Sequence, residues 1–362
     1  MSEVTTLSTD RPGREPGDRP RPTMRDVAAL AGVSLKTVSR VINAEPAVSA
    51  DLLARVERAI EQLDYRPNLT ASSLRRNDGK TATVGLVLED LANPWSAAVT
   101  RAVEDAARPR RVTVVAGSVD EEPARERALV REFVARRVDG LIVAPTAADQ
   151  SYLFADRRAG TALVFVDRPP TNLDADTVVA ANRAGAADGV RHLLAAGHRR
   201  IGFLGDLSTI ATAAERYEGY VDALERAGVD VDDDIVRRDV RGVDAARAAV
   251  EELLRMPGPP TAVFAAQNVL GIGAFAALRG LRRQFDVALV GFDDFPLADL
   301  LDPGVTVVAQ DPAAIGRLAA DTLFRRLDGD RSPSTVQVVP TRLIVRGSGE
   351  IGPPIGWEVA VR

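Results

Sequence analysis

The chain has 362 residues, of which 46% are hydrophobic and 27% charged, and it carries a net charge of −5, two histidines and no cysteine. These values indicate a globular protein with room for more than one domain, and they exclude disulfides, thiolate metal sites and cysteine nucleophiles. No apolar run is long enough to cross a membrane and the first twenty residues lack the pattern of a secretory signal, so we expect a cytoplasmic protein that needs no metal or cofactor.

The charge is distributed unevenly along the chain. Residues 23–76 carry eight basic and six acidic side chains, which leaves a net charge of about −7 on the remainder. A modestly basic segment on an acidic body is typical of a protein in which only that segment contacts phosphate groups. Residues 1–22 are rich in proline, glycine and mixed charge without an apolar period, and we expect them to form a disordered tail.

Residues 23–67 contain the pattern of a small all-α domain. Apolar side chains recur at helical spacing in three short runs, and a glycine separates the first run from the second. This arrangement predicts a helix-turn-helix, although the pattern by itself also suits a small helical core without a nucleic-acid function. The predicted helices cover 24–31, 35–42 and 51–63, and each follows a hydroxyl residue that can cap it: Thr23, Ser34 and Ser49. The expected inward-facing residues are Val27, Ala28, Leu30, Ala31, Val38, Val41, Ile42, Leu52, Val56, Ile60 and Leu63.

The outward face of the second predicted helix favours DNA binding. It has hydroxyls, two cations and one apolar tip but no glutamate, whereas a merely solvated helix face usually carries glutamates. A guanidinium can bridge O6 and N7 of guanine in a major groove, and hydroxyls can contact bases or phosphates. The outward residues are Leu35, Lys36, Thr37, Ser39 and Arg40.

Residues 68–79 could form one short hinge helix and linker without a core of their own. From residue 80 onward, apolar runs without polar alternation alternate with helical stretches, which predicts parallel sheets covered by helices. We expect a two-lobed α/β body over 80–348, with an N-lobe at about 80–180 and 311–338, a C-lobe at about 181–310 and 339–348, and a tail over 349–362. The predicted strands are 83–88, 112–115, 140–143, 162–166, 201–204, 262–265 and 287–290.

Polar side chains follow several of the predicted strands. Because ligands in open α/β sheets lie at the carboxyl ends of strands, these residues predict a binding cleft between the lobes. Carboxylates, an amide, a guanidinium and an indole together suit a polyhydroxylated ligand. The predicted effector contacts are Asp90, Trp95, Asp167, Arg168, Asn182, Thr212, Arg216, Asn268 and Asp293.

The runs 23–34 and 37–43, together with 65–68 and 71–74, resemble the head and hinge helix of the LacI/GalR family of transcriptional repressors. The resemblance continues through later motifs and covers about residues 23–348. It implies a homodimer, with a tetramer possible, that binds a near-palindromic double-stranded operator, with two hinge helices in the central minor groove and Leu74 as an apolar wedge between base pairs. The predicted DNA contacts are Ser34, Leu35, Lys36, Thr37, Ser39, Arg40, Asn43, Asn68, Leu74 and Arg75.

The resemblance also places effector contacts at Asp167, Thr212, Arg216, Asn268 and Asp293, with Asn182 close to another. Three departures favour a sugar over a purine. The position of Asn268 is commonly an aspartate in the family, Ile210 stands where the purine-binding member has an arginine, and Ser96 stands where that member has an aromatic residue. Effector binding would change the closure of the lobes and, through the hinge, the affinity for DNA.

Three other functions remain as alternatives. A solute-binding protein of a transport system would share the body, but it needs a secretory signal and no head. An enzyme would need an activated nucleophile, a phosphate-binding loop or a metal-ligand spacing, and the sequence has none of these. The third alternative keeps the DNA-binding head and gives the body no effector, and a thermal-shift screen with sugars distinguishes it.

Overall fold

The computed structural model describes residues 22–42, 48–66 and 80–354, and the chain divides into two compact units, Met1–Thr81 and Ala82–Arg362. Four of the predicted DNA contacts lie outside the described residues, as does the whole of the predicted hinge and linker over 68–79. These four are Asn43, Asn68, Leu74 and Arg75. Among the described helices, none has the length and apolarity required to cross a bilayer.

The first unit contains the three predicted helices: α1 (Met24–Ala31), α2 (Leu35–Ile42) and α3 (Ala50–Gln62). Thr23 caps α1 through a capping box with Asp26, in which each side chain bonds to the other residue's backbone N–H. Gly32 ends α1 with φ of 62°, a left-handed conformation that glycine adopts without strain. The core of this unit centres on Val27, Val38 and Val56, which are fully buried.

Two details of the predicted helices are wrong. Leu30 is 46% exposed, because the buried stripe of α1 runs through Val27, Ala28 and Ala31, and Leu30 points about 100° away from the centre of that stripe. Ser49 precedes α3, but its side chain makes no bond to the first turn of that helix.

The second unit consists of two lobes, each built on a six-stranded sheet. The N-lobe sheet is parallel throughout, in the order β11-β5-β4-β3-β1-β2. The helices beside it are α4 (Pro94–Ala107), α5 (Pro123–Ala135), α6 (Phe154–Arg158) and α11 (Pro312–Leu327). Its strands are β1 (Thr83–Leu88), β2 (Thr113–Ser118), β3 (Gly140–Val143), β4 (Ala162–Val166), β5 (Asp176–Ala180) and β11 (Val336–Val339).

The C-lobe sheet repeats this order as β12-β10-β9-β8-β6-β7, with β12 antiparallel to β10. The helices of this lobe are α7 (Asn182–Ala195), α8 (Ala211–Arg226), α9 (Gly242–Arg255) and α10 (Asn268–Gly280). Its strands are β6 (Ile201–Leu204), β7 (Val236–Arg237), β8 (Ala262–Ala265), β9 (Ala288–Phe292), β10 (Thr306–Ala309) and β12 (Arg342–Ile344).

The chain crosses between the lobes three times, after β5, after β10 and between β11 and β12. All three crossings therefore lie on one side of the paired sheets, which we call the hinge side, and β2 and β7 form the opposite edge. The carboxyl ends of the parallel strands carry the loops in which both lobes place polar side chains.

Five strands were missed and two were displaced. The buried run 306–309 was not recognised, and the edge strands β7, β11 and β12 have at most four residues each, which is too short for a pattern to be distinctive. Strand β5 was missed although most of its residues are buried. The runs predicted at 112–115 and 287–290 form strands over 113–118 and 288–292.

Candidate functional site

The outward face of α2 presents the side chains that the sequence analysis selected. Leu35 is 40% exposed and Lys36 is also exposed, whereas Ser39 and Arg40 are half-buried on the same helix. The face therefore offers a cation and an apolar tip directly to a partner, and Arg40 on the same helix is less accessible than Lys36.

Ser34 and Thr37 have a local role at the start of α2. The Ser34 hydroxyl accepts a hydrogen bond from the Thr37 backbone N–H at 3.1 Å, and the two hydroxyl oxygens lie 2.9 Å apart. This is the N-cap interaction expected of a serine before a helix. The two hydroxyls thus fix the start of α2 and leave its outward face to the longer side chains.

Arg55 on α3 is a residue that sequence reasoning missed. Its Nη2 donates to the carbonyl oxygens of Ala31 at 2.7 Å and of Gly32 at 3.1 Å, so it binds the carboxyl end of α1 at the turn between α1 and α2. No motif marks such an arginine, because its partners are backbone atoms of another helix.

A buried hydrogen-bonded network centred on Arg216 lies in the C-lobe, at the carboxyl end of its sheet. The guanidinium donates to Asn182 Oδ1 at 2.9 Å, to the carbonyl oxygen of Ala266 at 2.8 Å and to Asp293 Oδ2 at 3.2 Å. It also lies over the ring of Phe292, 4.0 Å from the centroid. Three of the predicted effector residues, from α7, α8 and the end of β9, therefore meet directly.

The network continues across the cleft into the N-lobe. Gln310 donates to Asp293 Oδ1 at 2.6 Å and accepts from Trp95 Nε1 at 3.1 Å. A second bridge joins the lobes where Asn268 Nδ2 donates to Asn93 Oδ1 at 3.1 Å. Trp95 and Asn268 are predicted site residues, and Asn93 belongs to the same polar run after β1 as Trp95. Gln310 is a new member, which links Trp95 to the opposite lobe.

Asp167 and Asp293 occupy matching positions in the two lobes. Asp167 follows β4 with φ of 68°, and Asp293 follows β9 with φ of 67°. Left-handed backbone is rare for residues other than glycine and persists where the surrounding structure enforces it, commonly at binding sites. Each backbone N–H donates to the neighbouring strand, Asp167 to the Val178 oxygen and Asp293 to the Val308 oxygen, and these bonds hold the turns.

Burial and charge oppose each other at Asp293. Burial raises the pKa of Asp293, and the charge of Asp167 acts in the same direction, while Arg216 and the hydrogen bond from Gln310 lower it. Burial also raises the pKa of the neighbouring Glu215, against the influence of Asn182 and Arg216. Two carboxyl groups, those of Asp293 and Glu215, therefore share the charge of the Arg216 guanidinium against the effect of burial.

In the described part of the chain, five of the nine predicted effector residues are not bonded to the Arg216 network: Asp90, Asp167, Arg168, Thr212 and Asn268, the last of which bonds to Asn93. Arg168 is held by Glu121 at 2.9 Å and by Asp167 at 3.1 Å, and these carboxylates keep the pKa of its guanidinium above the ordinary value despite burial. Asp90 accepts from the Ala92 backbone N–H at 2.8 Å and closes a local turn. Thr212 is buried in the first turn of α8.

Three residues that the sequence analysis did not select also follow strands of the sheets, as the selected residues do. Glu89 directly follows β1 and lies close enough to Asp167, Arg168 and Asp206 for their charges to shift its pKa. Asp206 lies two residues after β6, and Gln310 directly follows β10. Glu89 and Asp206 could have been selected from the predicted strands. Gln310 could not, because β10 had not been recognised as a strand.

Comparison with known proteins agrees with this architecture. The sequence profile of bacterial regulatory proteins of the lacI family matches residues 23–68, and that of the periplasmic binding protein-like domain matches residues 190–349. The chain is 30% identical over 328 residues to the HTH-type transcriptional repressor CytR of Escherichia coli K12, an alignment that spans 90% of this chain and 96% of CytR. It belongs to the LacI family.

Two further similarities extend over both units of this LacI-family chain. The ribose operon repressor of Escherichia coli K12 is 32% identical over 308 residues, which is 84% of this chain and 93% of that repressor. The crystal structure of the Lac repressor dimer bound to operator and the anti-inducer ONPF aligns with a TM-score of 0.79 at 26% identity, over 91% of this chain and 99% of that chain. The predicted fold class, a helix-turn-helix head joined to a two-lobed periplasmic-binding-protein-like body, is confirmed. The chain is a LacI-family transcriptional regulator and not an enzyme.

Proposed function

We propose that this regulator is a repressor that binds a near-palindromic operator as a homodimer and responds to a sugar bound between the lobes of its body. The observation that carries the effector part is the buried network around Arg216, which reaches Trp95 of the N-lobe through Gln310 and lies beside a second bond between the lobes, from Asn268 to Asn93. Operator binding places this activity in the cytoplasm.

The chemistry of the cleft favours a neutral polyol. The carboxylates of Asp167 and Asp293 accept hydrogen bonds from hydroxyl groups, the Arg216 guanidinium donates, and the indole of Trp95 offers a flat apolar surface to a sugar ring. The ribose operon repressor, a relative over most of the chain, takes its name from a sugar operon. We therefore expect a pentose or hexose, free or as part of a glycoside.

The surface that we assign to dimerisation is an apolar patch on the C-lobe. Side chains of α10 and of the loop after β9 line a cavity of about 610 Å³ there, among them Phe275, Phe295 and Leu297. At the patch Ile272 is 37% exposed and Leu297 is 64% exposed. Leu297 also has a left-handed φ of 70°, an unfavourable conformation for leucine. We propose that a second copy of this chain covers the patch, since the Lac repressor to which the chain aligns is a dimer.

Effector binding and operator binding are coupled through the closure of the lobes. A ligand that binds one closure state better shifts the population toward that state, and the change passes to the head through residues 67–79. The coupling is reciprocal: a sugar that weakens operator binding tenfold is itself bound tenfold more weakly on the operator complex.

Operator selection from random DNA, repeated with and without a panel of pentoses, hexoses and disaccharides, tests the proposal. We expect a two-fold symmetric site and at least one sugar that both changes operator affinity and raises the melting temperature of the protein. If a symmetric site is selected but every sugar leaves affinity and melting temperature unchanged, the body acts without a sugar effector.

We expect Arg40→Ala to relax base preference at one position in each half-site. A guanidinium on a recognition helix that binds guanine contributes about 1–3 kcal/mol of discrimination, which corresponds to roughly 5- to 150-fold. The measurement is the affinity of wild type and variant for the selected operator and for operators with each base pair changed in turn.

Arg58→Ala on α3 is the matched control for Arg40→Ala. Arg58 is exposed, and its Nε donates within its own helix, to the Ala54 oxygen. The control should leave the pattern of base preference unchanged. If Arg40→Ala weakens binding to all operators equally, Arg40 contacts phosphate and does not read a base.

A further inference from the structure

Five exposed arginines lie at the amino ends of the N-lobe strands, in the connections 108–112 and 136–139. The first connection precedes β2 and the second precedes β3, and together they contain a single carboxylate, that of Asp139. None of the five arginines is among the predicted contacts with DNA or effector. We call them the junction face: Arg108, Arg110, Arg111, Arg136 and Arg137.

The junction face lies on both sides of the strand that joins the body to the head. Strand β1 lies between β3 and β2 in the sheet, and its amino end receives the chain from the head. The Ala82 oxygen accepts from the Thr113 N–H at 2.8 Å, and the Thr83 oxygen accepts from the Asp139 N–H at 2.7 Å. Both connections therefore end within one strand spacing of the incoming chain, which is about 4.8 Å.

The C-lobe provides an internal comparison, because its sheet repeats the strand order of the N-lobe sheet. The connections before β7 and β8, at 227–235 and 256–261, match those before β2 and β3, and they contain four aspartates and no basic residue. Cations favour helix ends through the helix dipole, and one arginine in the last turn of each preceding C-lobe helix, Arg226 or Arg255, supplies that cation. The dipole therefore does not account for five arginines beyond the ends of α4 and α5.

Two arginines of the junction face have no carboxylate partner among the described residues. Arg111 and Arg136 are exposed, and neither forms an ion pair within residues 22–42, 48–66 and 80–354. By contrast, Arg108 and Arg110 each pair with an aspartate, at 3.3 Å and 2.8 Å. Arg111 and Arg136 are thus the members of the face that we expect to bind an anion first.

The anion that fits this face is the phosphate backbone of duplex DNA. A guanidinium remains charged at every physiological pH and binds a phosphate through two parallel N–H groups. The chain outside residues 23–76 has a net charge of about −7, so this cluster of cations stands against the overall charge of the body. Only eight residues separate the predicted wedge Leu74 from Ala82, and they span at most about 28 Å.

We propose that the junction face binds phosphates of the operator duplex, so that the body adds a sequence-independent part to the DNA affinity of the head. This inference rests on the proposed function in one respect, since the head is what brings the duplex near the body. Phosphates are the same at every base pair, so the contact strengthens binding to any duplex and leaves base preference unchanged.

The salt dependence of DNA binding tests the proposal. Each phosphate contact contributes about 0.9 to the magnitude of the slope of log affinity against log salt concentration. Arg111→Gln combined with Arg136→Gln removes two contacts from each protomer of a dimer, so the slope should become less negative by about 3.6. The advantage of the unchanged chain over this double variant should therefore shrink by about 150-fold between 50 and 200 mM salt. Fluorescence anisotropy measures both affinities, on the selected operator and on an unrelated duplex, and we expect the same loss on both.

Arg282→Gln is the matched control for Arg111→Gln. Arg282 is also exposed and also has left-handed backbone, with φ of 56° against 55° for Arg111, but it follows α10 in the C-lobe. The two variants change the net charge equally. We expect Arg111→Gln to reduce the magnitude of the slope by about 1.8 and Arg282→Gln to leave it unchanged. Sedimentation checks that every variant remains a dimer.

A double variant with the slope of the unchanged chain would overturn the proposal, and an acidic protein would then be the partner to seek for this face. A loss of affinity on the operator alone, without a change in slope, would also overturn it, because the arginines would then act on residues 67–79 and not on phosphate. An equal change in slope for Arg282→Gln would reduce the effect to net charge.

The unrelated duplex separates these results from a failure of the proposed function. If the protein prefers no sequence, the proposed repressor function fails, while the slope on the unrelated duplex still decides whether the junction face binds phosphate. If a symmetric operator is selected and the slopes of the double variant and the unchanged chain agree on both duplexes, only the junction face is rejected.

Discussion

Arg216→Met is expected to abolish the response to the effector sugar and to lower the free energy of unfolding of the body by about 3–5 kcal/mol. The guanidinium is 7% exposed and its partner Asp293 is 10% exposed, so removing the cation leaves a carboxylate buried without its counter-charge. The Asn182 and Ala266 oxygens lose their donors as well. Chemical denaturation measures the loss of stability, and operator titration with the sugar identified by screening measures the response.

The pH dependence of this loss has a definite sign. Without Arg216, the pKa of Asp293 rises further, because burial and Asp167 act unopposed by that cation. Protonation then relieves the buried charge, so the destabilisation caused by Arg216→Met should be smaller at pH 5 than at pH 8. Adding Asp293→Asn to Arg216→Met should recover part of the stability without restoring the sugar response.

Arg183→Met is the matched control in the same lobe. Arg183 is 55% exposed and pairs with Glu218 and Asp222 on the surface, where solvent screens the charges and such pairs contribute little to stability. The control should retain both stability and sugar response. Operator binding without sugar should survive in both variants below their melting temperatures. If Arg216→Met retains a normal sugar response, the network is structural and the effector binds elsewhere.

Leu297→Asp is expected to produce monomers and to weaken binding to the full operator by about 10²- to 10⁴-fold. Two linked heads bind two half-sites at a high effective concentration, and this advantage disappears when the protomers separate. Affinity for an isolated half-site should not change. Since aspartate tolerates the left-handed backbone of this position better than leucine does, the substitution places charge on the patch without straining the loop.

Sedimentation analysis and titration with full and half operators measure this outcome. Phe285→Asp is the control, because Phe285 is also an exposed apolar side chain, at 57%, but does not line the C-lobe cavity. It should leave the dimer intact. A Leu297→Asp protein that remains dimeric with full operator affinity would assign dimerisation to another surface.

The head shows how much local pattern can establish. Capping residues, a helix-breaking glycine and apolar spacing all act within one or two helical turns, so the positions of α1, α2 and α3 followed from the sequence to within a residue. Leu30 failed because the direction from which α3 packs on α1 decides which side of an eight-residue helix is covered. Arg55 was missed for the same reason: its partners belong to a different helix.

In the body, the sequence identified most of the strands that are buried on both faces, but not β5 and β10, and it identified most of the side chains that follow the recognised strands. The sequence could not show which of those side chains contact one another. Arg216, Asn182 and Asp293 meet because α7, α8 and β9 converge at one end of the C-lobe sheet, and no spacing along the chain encodes that convergence. Arg168 was selected together with Asp167 because both residues follow β4. The structure shows that its guanidinium donates to Glu121, a residue of the loop after β2.

By itself the sequence determined the class of fold, the DNA-binding head and the family, because these depend on periodicity and on contiguous motifs. Only the tertiary structure decided which carboxylate each arginine binds and which contacts span the lobes. Glu89 and Arg241 are separated by more than 150 residues and lie in different lobes, and the hydrogen bond from Arg241 to Glu89 exists only when both sheets are folded and the hinge is closed. Side-chain chemistry can be read from a sequence, whereas pairing over such separations depends on how the sheets are arranged in space.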